Sequence, residues 1–125
     1  MLNWPDMEIF RGVSLTDSCV LSWRQVDGSL IFEIEASLWP GHPRYAEPPK
    51  GDWTCYRLAI LTFPQASLVE GLRAMAEAPS TTDPDGSVDY GTIDTLLRNE
   101  DGSYLLIGDF GEVTIHSGAL TFEIP

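Results

Sequence analysis

Apolar and polar residues alternate along two stretches of this chain that a turn joins. From Cys19 the series Cys19, Leu21 and Trp23 is interleaved with Ser22 and Arg24, and it runs into Val26-Asp27-Gly28-Ser29. Asp-Gly between alternating apolar runs predicts a hairpin, because both central residues accept positive φ. Leu30, Phe32, Ile34, Ala36 and Leu38 then line one face, and Glu33, Glu35 and Ser37 line the other. That is the pattern of a half-buried strand with a wet outer side.

Trp39-Pro40-Gly41-His42-Pro43 ends the strand, and Pro48, Pro49 and Gly51 keep the chain irregular as far as Asp52. Residues 54–63 read as the next strand. Tyr56, Leu58 and Ile60 face one way and Ala59, Leu61 and Phe63 the other, so the pattern predicts a central strand covered on both sides. Between Pro64 and Pro79, Leu68, Leu72 and Met75 recur at helical spacing beside an alanine-rich stretch, although Gly71 interrupts it. A short helix is expected there. Residues 80–91 form a polar loop, and the final third reads as a meander over 92–98, 104–108, 112–116 and 119–124.

Six to seven short strands and at most one short helix predict a mostly β fold, an antiparallel sandwich or a partly open barrel. The 125 residues form a single domain, 1–125, without internal repeats or a dividing linker. A chain of this length buries roughly two-thirds of the surface its unfolded form exposes, enough for one core.

Charge changes this picture more than composition does. Nineteen acidic residues against seven basic ones give a formal net charge of −12. From Ala74 onward Arg98 is the one basic residue, against ten carboxylates that include Asp83, Asp85 and Asp89. Such a field repels phosphate backbones and speeds encounter with a basic partner, so nucleic acid is not an expected ligand. The N-terminal Met1-Leu2-Asn3-Trp4-Pro5-Asp6 lacks the basic-then-apolar pattern of an export signal, and no run of apolar residues is long enough to span a bilayer. A cytoplasmic, non-membrane protein is the expectation. In that compartment Cys19 and Cys55 read as two buried thiols, and a bridge between them cannot be inferred from spacing alone.

Candidate chemistry concentrates in residues 39–56, which hold Trp39, His42, Arg44, Tyr45, Trp53 and Tyr56, with Arg57 just beyond. Rigid aromatics with arginine are what binding surfaces gather. The same loop also reads as a proline-stiffened cover over an open end of the core, with Trp39 and Trp53 packed inward. Neither His42 nor His116 has the neighbours of a zinc set, and no cofactor motif is present. Asp83-Pro84-Asp85-Gly86 lacks the flanking ligands of a calcium loop and reads as a turn. Glu33 and Glu35 read as the wet side of an amphipathic strand rather than a catalytic pair. Gly108-Asp109-Phe110-Gly111 reads as a turn.

From Asp17-Ser18-Cys19-Val20-Leu21-Ser22-Trp23 to Gly111-Glu112-Val113-Thr114-Ile115, the order of hairpin, proline-rich crossover, aromatic strand and meander resembles that of a class of small bacterial β-rich proteins, some of which are of the immunity type. The resemblance lies in element order and implies non-enzymatic binding of a protein, in the manner of a toxin-neutralising module. On this expectation Trp39, Tyr45 and Trp53 are anchors, and Asp83, Asp85 and Asp89 complement a basic partner. The alternative is a small-molecule-binding β-barrel with the 39–56 loop over its mouth and Arg44 or Arg57 meeting an anionic ligand.

Overall fold

The computed structural model describes residues 1–125 and contains eleven strands and three single 3₁₀ turns. In chain order the strands are β1 (Leu2–Asn3), β2 (Val13–Val26), β3 (Ser29–Leu38), β4 (Cys55–Phe63), β5 (Leu68–Leu72), β6 (Thr81–Thr82), β7 (Val88–Asp89), β8 (Ile93–Arg98), β9 (Tyr104–Gly108), β10 (Gly111–His116) and β11 (Thr121–Glu123). Two antiparallel sheets face each other, one ordered β1-β8-β9-β10-β5 and the other β11-β4-β3-β2, while β6 and β7 form a separate small hairpin. The sheets do not close into a barrel. The fold is a β-sandwich, so the loop at 39–56 has no barrel mouth to cover.

Between the sheets lies an aromatic core. Phe32 at its centre stacks edge-on to Phe110, 5.2 Å between centroids, and to Phe63 at 6.3 Å, with Trp23 tilted against it at 6.1 Å. Strands β2, β3 and β4 supply three of these rings, and the turn between β9 and β10 supplies Phe110. Each such pair contributes about 0.5–1.5 kcal/mol beyond burial of its area. Trp23 also donates its indole N–H to the Arg73 carbonyl at 2.8 Å, tying the edge of one sheet to the edge of the other.

The predicted β2–β3 hairpin is present, with Asp27 and Gly28 at φ 50° and 79°. Its alternation is broken, however. A register shift between Val20 and Ser22 leaves Val20 and Trp23 buried, while Cys19 and Leu21 turn to the outer side. A second shift, between Ser14 and Cys19, is stitched by Ser18: its hydroxyl donates to the Ser14 carbonyl and accepts the Ser37 N–H. No buried side-chain polar atom lacks a partner.

Strand β4 is internal, as the pattern predicts, but only one of its faces is covered. Cys55, Ala59, Leu61 and Phe63 are buried, whereas Tyr56 and Ile60 are half-buried and Leu58 is 49% exposed. The expected helix at 64–79 is absent. Gly71 has φ +93°, outside the helical region, and its segment becomes β5, which pairs with β10. A short helix with glycine inside is marginal by about 1 kcal/mol, and the ladder bonds that β10 offers outweigh it. One 3₁₀ turn, Met75–Glu77, follows.

Both cysteines are free. Cys55 is buried on the inner face, but Cys19 is only half-buried and lies on the outer face. Strand β3 separates them, so two strand spacings, about 10 Å, exceed the roughly 7 Å that a disulfide spans. No helix is long and apolar enough to cross a membrane.

Candidate functional site

The register of the four-stranded sheet lays its outer face out as a grid. Glu35 lies between Cys19 on β2 and Leu58 on β4, and Glu33 lies between Ser22 and Ile60. Beyond Ile60 stands Glu123 of β11. Tyr56, Leu58 and Ile60 thus form an apolar column along β4, flanked by Glu33 and Glu35 on one side and Glu123 on the other.

The segment expected to be a plain loop folds over part of this face. Its β6–β7 hairpin is held at its base where Tyr90 N–H donates to the Val20 carbonyl and Val20 N–H donates to the Gly91 carbonyl, each at 2.8 Å. The Tyr90 ring packs edge-on to Trp23 at 5.0 Å. At the tip, the Asp85 carboxylate accepts the Ser87 hydroxyl at 2.6 Å and its N–H at 2.9 Å, closing the predicted turn. Between hairpin and sheet is a cleft of about 220 Å³, bounded by Cys19, Glu35 and Tyr56 on one side and Asp83, Val88 and Asp89 on the other. Its volume lies below the roughly 300 Å³ at which small-molecule pockets begin, and suits a single side chain better than a whole ligand.

Electrostatics in the cleft are one-sided. Burial first, then the carboxylates of Asp52, Asp83, Asp89 and Asp85, hold Glu35 above the usual carboxylate range. Burial, then Asp89, Glu35 and Asp83, pushes the Cys19 thiol up, so it stays protonated at neutral pH and is a poor nucleophile. Burial and the neighbouring Cys19 raise the Tyr56 phenol in the same way. Arg24, the cation on this face, is already paired with Glu33 at 3.2 Å. No cation of the chain pairs with Glu35, Asp83 or Asp89. No group of three His, Cys, Asp or Glu side chains is placed to hold a metal ion. Like charges gathered without a counter-charge make the cleft complementary to a cation.

No family model, curated protein or solved structure matches this chain.

The structure therefore joins Tyr56, Asp83 and Asp89 of the sequence candidates in one cleft, with Asp85 at the hairpin tip. Trp53, 70% exposed, stands beside it with its ring edge-on to Tyr56 at 6.4 Å. The other candidates lie elsewhere. Trp39, 54% exposed, borders a groove with Trp4 and Phe10, so neither tryptophan of the loop packs inward. Tyr45 does pack against the core. Arg44 is committed to the main-chain oxygens of Ile124 and Pro125 at 2.8 and 2.9 Å. His42 accepts the Arg44 N–H on Nδ1 at 2.9 Å, and burial, then Arg44, lowers its pKa. Arg57 occupies a core-facing register opposite Ala36, where β4 has no β11 partner. An inward-pointing charge on such a bare edge discourages pairing with a foreign strand.

Two titratable members of the cleft, Cys19 and Glu35, are missing from the sequence candidates. Glu35 reads as ordinary wet-face patterning, and only the hairpin docked against it makes it exceptional. Cys19 changes faces through the shift after Val20, for which the sequence carries no turn residue. The one available signal is the apolar outer column of β4, whose excess over alternation marks a face that something covers.

Proposed function

We propose that this chain is a non-enzymatic, cytosolic protein-binding module of the toxin-neutralising kind, whose partner is a basic protein. The observation that supports it is the unpaired set of carboxylates, Glu35, Asp83 and Asp89, drawn together around one side-chain-sized cleft with Asp52 and Asp85 close by. Folding gains nothing from gathering like charges, whereas an incoming lysine or arginine relieves their repulsion and is steered in by the net charge of −12. The exposed Trp53 beside Tyr56 offers an aromatic face to the same cation. Two unbridged cysteines accord with a reducing compartment. The toxin-neutralising element of the proposal rests on the layout of the strands alone.

The test is a calorimetric titration with short lysine-rich and glutamate-rich peptides at low and high salt. Binding of the lysine peptide, weakened by salt and by Glu35→Gln, is the expected result. Equal binding of both peptides, or indifference to Glu35→Gln, sinks the assignment of the cleft.

A further inference from the structure

We infer that the uncovered outer face of the four-stranded sheet, centred on Leu58, is the docking surface for a basic protein segment that carries an apolar stripe between its cations. The inference rests on the binding role proposed above and adds what the partner must look like. Alternation in an antiparallel sheet calls for polar residues on a wet face, yet the outer column of β4 reads Tyr56, Leu58, Ile60. Half of Leu58 is open to solvent, and Trp53 extends the column at its end with 70% of its surface free. Tyr56 lines the cleft beneath the hairpin, whereas Leu58, Ile60 and Ile31 lie outside that lining.

Charge complementarity selects the occupant. The column is fenced by Glu35 on β3 and by Glu123 on β11, with Asp83 and Asp89 overhanging the Tyr56 end, while Glu33 is already engaged by Arg24. A second copy of the chain would bring the same carboxylates against these, and an anionic membrane would be repelled in the same way. A segment with apolar residues along its middle and lysine or arginine on both flanks covers the column and pairs with the fence. Central apolar anchors ringed by polar contacts are the usual energetic layout of an interface.

Three short peptides of equal length serve as probes: alternating Lys–Leu, alternating Lys–Ser and alternating Glu–Leu. The Lys–Leu peptide is expected to bind about tenfold more tightly than Lys–Ser, the margin that burying one or two leucine side chains supports. Leu58→Ser, or the β-branched Leu58→Thr where the serine variant loses its near-UV circular dichroism, removes that margin and leaves Lys–Ser binding unchanged. If the margin survives both substitutions, the docking face is wrong while the acidic cleft stands. If neither lysine peptide binds better than Glu–Leu, the charge reading fails as well. A dimer in sedimentation that Leu58→Ser abolishes assigns the face to a second copy and overturns the inference.

Discussion

Two irregular segments border the four-stranded sheet, and they differ in a way their compositions conceal. The 39–54 loop is rich in aromatics, prolines and cations, yet Arg44, Tyr45 and His42 are engaged within the fold and only its two tryptophans stand out as large exposed apolar side chains. Arg44 binds the main-chain oxygens at the C-terminal end, Tyr45 packs on the core, and the His42 side chain lies against Gly12. The 81–89 hairpin is polar and plain, and it buries almost nothing of its own. It is nevertheless the segment that converts an ordinary wet face into a cleft by setting Asp83 and Asp89 against Glu35. Conspicuous residues can be anchors of the fold, and a commonplace turn can make a site, because function depends on what a segment faces.

The largest expected effect tests how firmly the loop is held. Gly12 has φ +76°, and a Cβ there would lie 3.0 Å from the His42 Cβ. Gly12→Ala should cost about 2 kcal/mol in chemical denaturation, combining left-handed backbone strain with displacement of the loop. A loss of only about 1 kcal/mol would mean that the loop yields without resistance and that the contrast with the hairpin is weaker than drawn.

The hairpin should respond in the opposite sense. Asp83→Asn together with Asp89→Asn keeps the acceptors for Ser87 and Gly91 while removing two charges. Affinity for a lysine-rich peptide should fall about tenfold, equivalent to about 1.4 kcal/mol, with no loss of thermal stability. Instability without a binding change would reverse the roles assigned to the two segments.

Arg44→Ala should cost about 1 kcal/mol of stability, the net worth of its hydrogen bonds to Ile124 and Pro125, and leave peptide binding unaltered. Weaker binding in this variant would return the loop to the site.

The smallest effect is a pH dependence. The Glu35 carboxyl is held above its ordinary value in the folded state, chiefly by burial and by Asp52, so the folded protein favours its protonated form. Its stabilising contribution is complete below the ordinary carboxylate range and is lost as pH rises through the raised value. Glu35→Gln should therefore remove a decline of about 0.5 kcal/mol between mildly acidic and neutral pH, a size set by solvent screening at this half-open site. Parallel stability profiles for the two proteins would show that the hairpin carboxylates do not press on Glu35.

Much of the fold can be read along the chain. Asp27-Gly28 marks the first hairpin, alternation from Leu30 to Leu38 marks β3, and the Gly108–Gly111 turn closes the β9–β10 pair. These features are local, since a residue's side of a strand follows from its neighbours and a tight turn from the φ its residues accept. The segment at 64–79 shows where local preference stops. Leu68, Leu72 and Met75 keep helical spacing, but β10 has an edge to fill and Gly71 can take the conformation that filling it requires.

The site depends on distance in sequence even more. Sequence by itself determined the acidity of the chain, the turn at Asp83–Gly86, the wet side of β3 and the excess of apolar residues on β4. Only the tertiary structure decided that this turn docks on that side, that a register shift brings Cys19 there, and that Trp39 and His42 are turned elsewhere. Periodicity records which side of its own strand a residue takes, whereas the meeting of a hairpin with strand β3 more than forty residues away is chosen by packing of the whole core.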